Sequence, residues 1–211
     1  MTRVACLACV AVLAAAMTAC GSGEQDSTAD KQVAQAVVLQ MSDLPEGSIK
    51  AEEALVSEDC DPIEYFKSYA SAIAAPFGFV LPHIELLQTV GTFETSEEAR
   101  KAFDEVSSKA ARDCVGVQML KGIHQQTGSK GALRAKSIPK SIPGETTRTM
   151  RLVARAPLAS VEVQRTAILH ERLLTTLTFI SLNRPLNPAL WESISRQAAA
   201  RVDRAASSLA N

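Results

Sequence analysis

The sequence predicts a single α+β domain, an antiparallel sheet of about five or six strands packed against helices and tied by one disulfide. Three observations predict it. Late in the chain, apolar residues recur with a period of two over residues 146–155, 160–169 and 173–182, and the last two runs are joined only through His170-Glu171-Arg172, as in a hairpin. On either side, residues 95–113 and 188–211 place apolar side chains at the three-and-four spacing of amphipathic helices. The chain has 211 residues and no internal repeat, enough beyond its leader for one sizeable core.

The leader comes first. Arg3 precedes an apolar run over residues 4–17, and the small residues Thr18 and Ala19 stand before Cys20, the order of a secretory signal. Met17-Thr18-Ala19-Cys20 resembles the lipobox of bacterial lipoproteins, although that family usually has Leu where this chain has Met17. The resemblance implies a signal peptide over 1–19, removed before a lipidated Cys20, and a mature protein held on the extracytoplasmic face of the cell membrane. The apolar run is shorter than the roughly 20 residues a spanning helix needs. Two acyl chains on one cysteine anchor stably where one is marginal. Plain secretion is the alternative.

Cys6 and Cys9 leave with the leader, so Cys60 and Cys114 remain. In an oxidising compartment they are expected to form one disulfide, worth roughly 4 kcal/mol through its effect on the unfolded chain. They lack the close C-x-x-C spacing of a redox pair.

Charge is divided along the chain. Residues 20–120 hold 7 Lys/Arg against 18 Asp/Glu, and residues 121–211 hold 14 against 5. Either the halves interleave and neutralise each other, or the fold carries a basic face suited to anionic envelope components.

Element by element, residues 20–30 read as a flexible polar tether and 31–211 as the folded domain. Asp30 reads as the N-cap of a short helix carrying Val33, Ala36, Val37 and Met41, which ends at Asp43-Leu44-Pro45-Glu46-Gly47. A strand is expected within 49–57 and a helix over 62–75, capped by Asp61 with Pro62 in its first turn. Residues 84–93 read as a strand. Thr95 and Glu98 then form a capping box for a helix reaching about Asp113, with Ala99, Ala102, Phe103, Val106 and Ala110 buried and Cys114 just past its end. Strands are expected at 117–125, 132–138 and the three runs named above. Pro188 opens a terminal helix with Leu190, Trp191, Ile194, Ala198, Val202 and Leu209 facing the sheet.

These elements carry a second likeness. A lipidated cysteine, a polar tether, a short helix ending in Asp43-Leu44-Pro45-x-Gly47, Cys60, a strand leading into Phe93-x-x-x-Glu97-x-Ala99, Cys114, a hairpin over 161–182 and an Ala-rich helix follow in order. This order resembles that of actinobacterial cell-envelope lipoproteins whose domain is similar to the extracellular sensor portion of certain mycobacterial receptor Ser/Thr kinases. Those kinase domains carry two disulfides where this chain has cysteines for one, and Ser48 stands where the family often has an aromatic residue. The resemblance implies helices packed on an antiparallel sheet around a groove, suited to binding, and it implies no substrate.

The residues show no catalytic pattern. His83, His124 and His170 stand far apart without a metal-ligand spacing, so no metal and no cofactor is expected. There is no G-x-S-x-G elbow, phosphate loop or dinucleotide fingerprint. The acidic residues between Glu52 and Glu64 lack the alternation of a calcium loop and read as a solvated face. Two groups remain as candidate ligand-binding residues. Phe77 and Phe79 lie in an apolar segment, 74–81, where Pro76 and Gly78 argue against regular structure; it either lines a groove or packs in the core. Arg148, Arg151, Arg155 and Arg165 lie on adjacent strands with guanidinium forks suited to phosphate or carboxylate, although alternation puts Arg148 on the face opposite Arg151 and Arg155.

The expected function is that of a non-enzymatic, membrane-anchored binding or sensor-like module with an envelope lipid, glycan or protein as ligand. The alternatives are a lipid or glycolipid carrier with an apolar cavity and, further off, an envelope hydrolase. Nucleic acid is not an expected partner, because the basic half lacks interleaved aromatics.

Overall fold

The computed structural model describes residues 22–50, 66–81, 84–138 and 146–209. Seven strands form one antiparallel sheet among them: β1 (Ile49–Lys50), β2 (Ala70–Leu81), β3 (Ile84–Phe93), β4 (Ala132–Ile138), β5 (Thr146–Ala156), β6 (Ala159–His170) and β7 (Leu173–Leu182), in the order β1-β2-β3-β7-β6-β5-β4. Four α-helices accompany them: α1 (Ser22–Val37), α2 (Ser96–Val106), α3 (Lys109–Thr127) and α4 (Pro188–Leu209). The fold is α+β, as the sequence predicts, with more strands than expected.

Side-chain alternation gives the sheet two apolar faces, and helices cover both. On one face α1 and α4 pack over β2, β3, β6 and β7, burying Leu86, Val90, Ile168, Leu177 and Phe179 with Trp191, Ile194 and Val202. Trp191 Nε1 donates to Thr166 Oγ1 at 2.8 Å, so the one indole N–H of the chain is satisfied inside the core. On the other face α2 lays Ala99, Ala102, Phe103 and Val106 over Phe93, Ala167, Leu169 and Leu174, while α3 lays Val115, Met119 and Ile123 over Leu152, Ala154 and Val163. The successive residues Ala167 and Ile168 of β6 thus serve different cores, because the strand period is two.

The capping box of α2 forms as expected: Glu98 N donates to Thr95 Oγ1 at 3.2 Å and Thr95 N to Glu98 Oε2 at 3.1 Å. The helix ends earlier than expected, at Val106. Ser108 starts a new helix by accepting the Ala111 N–H at 3.1 Å, and this resets the helical phase and leaves Ala110 exposed. The expected strand at 117–125 is therefore the second half of α3, and Cys114 lies inside a helix. Val117, which created the impression of alternation, is 62% exposed, and the buried set Val115, Met119 and Ile123 is spaced by four. Gly128 closes α3 in the left-handed conformation (φ 67°).

The expected helix over 62–75 is overturned in its last part, since residues 70–75 belong to β2, a strand that runs on through the segment expected to be irregular; residues 66–67 are helical and 62–65 lie outside the described residues. The register explains how: Ala74 pairs with Val90 and Phe77 with Gln88, so two residues of β2 stand against one of β3. Pro76 sits in that bulge, where the missing N–H removes no ladder bond.

Residues 22–30 are not a free tether, because α1 begins at Ser22. Asp30 lies within that helix and does not cap it. Its carboxylate is buried against the sheet, accepting from Arg172 Nη2 at 3.0 and 3.1 Å and from the Ser71 hydroxyl. At the other end of α1, fully buried Gln88 accepts the Leu39 N–H at 2.8 Å and donates to Val37 O at 3.3 Å. The sheet thereby caps the helix with a side chain from β3.

Candidate functional site

α4 packs chiefly on β6 and β7, so among the described residues no helix packs broadly on the α1/α4 face of the sheet at its β4 side. At the end of the sheet where β5 turns through Pro157 and Leu158 into β6, and where β7 leaves for α4, a recess of about 410 Å³ opens on this face. Arg151, Val153, Arg155, Ser160, Glu162 and Arg184 line it.

Its walls are fixed by short polar contacts. Asn183, with φ 57°, donates its N–H to Ser160 O at 2.8 Å and accepts the Ser160 N–H on Oδ1 at 2.9 Å, so the exit of β7 is clamped to the start of β6. Ser181 Oγ donates to Arg184 O at 2.8 Å and holds the next residues. Arg151 is engaged by the buried Glu162: Nη2 donates to Oε2 at 2.9 Å, and Nε lies 2.8 Å from Oε1 as an ion contact without hydrogen-bond geometry. Arg155 and Arg184 are exposed and have no ion-pair partner among the described residues. Cross-strand register puts Lys136 beside Arg151 and Arg134 beside Val153, on the same face. Five cations thus share this face around one carboxylate.

The residues singled out from the sequence do not converge. Phe79 is 3% exposed and packs in the core with Leu39, Leu86, Phe179 and Trp191, so it lines no groove. The backbone of Phe77 lies in β2 opposite Gln88, and its side chain is outside the described residues. Arg148 is on the α2/α3 face, 2.7 Å from Asp104 and 4.8 Å above the Phe103 ring. Arg165 is buried on that face and donates from Nε to Thr178 Oγ1 at 3.2 Å. Arg151 and Arg155 reach the recess. Cys20 and Cys60 are outside the described residues, and Cys114, on α3, is disulfide-bonded. His83 is outside them too, while His124 and His170 lie on α3 and at the end of β6. Among the described residues no three His, Cys, Asp or Glu side chains stand close enough to hold a metal ion, and no helix is long and apolar enough to cross a membrane.

Sequence reading missed Arg184, Ser160 and the buried partner Glu162. Arg155 carries a local signal, four residues from Arg151 on one strand face. Arg184 carries none, because it follows the last strand and reaches the recess only through the β6–β7 pairing.

No family model matches the chain, and no curated protein matches it. Among solved structures, the extracellular domain of PknH from Mycobacterium tuberculosis is similar, with a TM-score of 0.50 over 82% of this chain and 96% of that one, at 13% sequence identity. The chain therefore shares the fold of that extracellular domain.

Proposed function

We propose that the chain is a lipid-anchored, extracytoplasmic binding module of the cell envelope, sensor-like and without catalytic activity. The observation that carries this reading is the shared fold, which takes in nearly all of an extracellular domain. The leader supports it, ending at Cys20 as the lipidation site after removal of 1–19. So does the disulfide at Cys114. We assign its partner as Cys60, the cysteine left once Cys6 and Cys9 depart and Cys20 carries lipid. The partners in this reading are the membrane, through the anchor, and an envelope ligand received in an open site. A carrier for acyl chains fits less well, because the recess is lined by three arginines and a glutamate while Phe79 is consumed by the core.

The test is metabolic labelling with an alkyne palmitate in a mycobacterial host expressing the full chain. The wild type should carry label and sediment with membranes, and Cys20→Ala should lose both. An unlabelled wild type released into the medium to the same extent as Cys20→Ala would overturn the anchored reading.

A further inference from the structure

We propose that the recess between the β5–β6 turn and the exit of β7 is a site for a soluble, phosphate-bearing ligand, held chiefly by Arg155 and Arg184. This deepens the binding reading above and rests on it, but it does not depend on the anchor.

Charge points to the ligand class. Arg151 is compensated by Glu162, whereas Arg155 and Arg184 are not compensated by any described carboxylate, so the recess carries about two positive charges. A phosphate monoester carries close to two negative charges at neutral pH. Guanidinium forks match its oxygens in pairs. Glu162 has a second role here: by accepting from Nη2 of Arg151, with Nε in ion contact beside it, it sets that guanidinium in place before a ligand arrives and leaves Nη1 to bind. Arg134 and Lys136 extend the positive face along β4, where they favour the approach of anions. The rim of Pro157, Pro185 and Leu158, the last 80% exposed, offers apolar surface to the uncharged body of a ligand.

Placement separates a soluble ligand from the headgroups of the host membrane. α1 docks at the other end of the sheet, where Asp30 meets Arg172 in the β6–β7 turn, and the helix runs from there toward Gln88 in mid-sheet. Its N terminus, at Ser22, lies at that end, two residues after Cys20 in the sequence. The recess lies at the opposite end of β6, whose 12 residues span about 36 Å at roughly 3.3 Å each. Membrane surface potential decays over about 8 Å in physiological salt.

The experiment is calorimetric titration of the full chain, reconstituted in phosphatidylcholine nanodiscs, with inorganic phosphate and glucose 1-phosphate, beside flotation with phosphatidylcholine vesicles containing or lacking phosphatidylglycerol. Saturable binding of either soluble probe is expected, weakened about tenfold for each arginine removed in Arg155→Gln and Arg184→Gln, and unchanged in Lys101→Gln on α2. Secreted Cys20→Ala should bind equally well, so failure of the anchor and failure of the site are read separately. Binding that persists in the double variant, no binding of either probe, or recruitment to phosphatidylglycerol alone would each overturn the proposal.

Discussion

Replacing Asp30 with alanine tests how α1 is held to the domain. The carboxylate is buried and receives two contacts from Arg172 Nη2, at 3.0 and 3.1 Å, and one from the Ser71 hydroxyl. Removing one member of a buried pair costs about 3–5 kcal/mol, because the other charge is left uncompensated. Here Arg172 keeps a third of its side chain in solvent and also donates to Phe93 O, so water screens part of that loss. The expected cost is about 2–3 kcal/mol, or roughly 5–10 °C in Tm for a domain of this size. Urea unfolding of the full chain, followed by the fluorescence of buried Trp191, measures it. The decisive quantity is the coupling in the cycle of Asp30→Ala, Arg172→Met and the double variant, expected at about 1–2 kcal/mol. Additive losses, within about 0.5 kcal/mol, would refute the ion pair as the tie and return Asp30 to an ordinary helical position.

Other perturbations follow from single contacts. A Cβ on Gly91 would stand 2.4 Å from Cδ1 of the fully buried Phe66, so Gly91→Ala should cost about 1–3 kcal/mol in the same unfolding assay. Gly116→Ala meets only the flexible end of Leu133 and should cost less than about 1 kcal/mol, since alanine also favours the helix. Gln88→Met should lose about 2–3 kcal/mol and the hydrogen-exchange protection of the Leu39 amide, because the Leu39 N–H and the Val37 carbonyl both lose their cap. The Tyr69 hydroxyl donates to Glu105 at 2.7 Å, and this bond together with the negative charge of Glu105 raises the phenol above its ordinary value. A raised folded value means that the contact stabilises the fold below the unfolded phenol's pKa and is lost as pH rises through the folded one. Phenolate absorbance should therefore develop at higher pH for Tyr69 than for Glu105→Gln.

The legible parts of the fold are those where one local signal has one reading. Thr95 and Glu98 mark the start of α2; the strict alternation of 146–182 marks β5 to β7; Pro188 and the four-residue spacing beyond it mark α4. Residues 117–125 were misleading because exposed Val117 mimics alternation, and the buried residues that decide for helix, Val115, Met119 and Ile123, straddle it. Pro76 misled for a different reason, since a bulge that tolerates proline is a property of two paired strands. Asp30 suits an N-cap by residue type, and only the position of Arg172, 142 residues on, gives it another partner. The site was less legible than the fold. Arg151 was identified by residue type, but Glu162 reads as a surface glutamate until β5 and β6 are in register, and Arg184 has no pattern to stand in.

The division of charge along the chain serves two ends at once. Acidic residues of the first half meet basic residues of the second across the fold: Asp30 with Arg172, Asp43 with Arg201 at 2.7 Å, Asp104 with Arg148 at 2.7 Å. Each pair ties a helix or its flank to a distant element, so the opposite signs of the halves favour closure of the chain on itself. The second half nevertheless holds more cations than these pairs use. Arg134, Lys136, Arg155 and Arg184 have no ion-pair partner among the described residues, and strand register and the clamped exit of β7 gather them on the sheet face that α4 leaves open. On an edge strand such as β4, lysine and arginine also discourage pairing with another chain, and that alone would account for Arg134 and Lys136. It does not account for Arg155 and Arg184, which lie away from the edge and turn into a recess. Uncompensated arginines beside a pre-set guanidinium are what a site for a doubly charged anion requires.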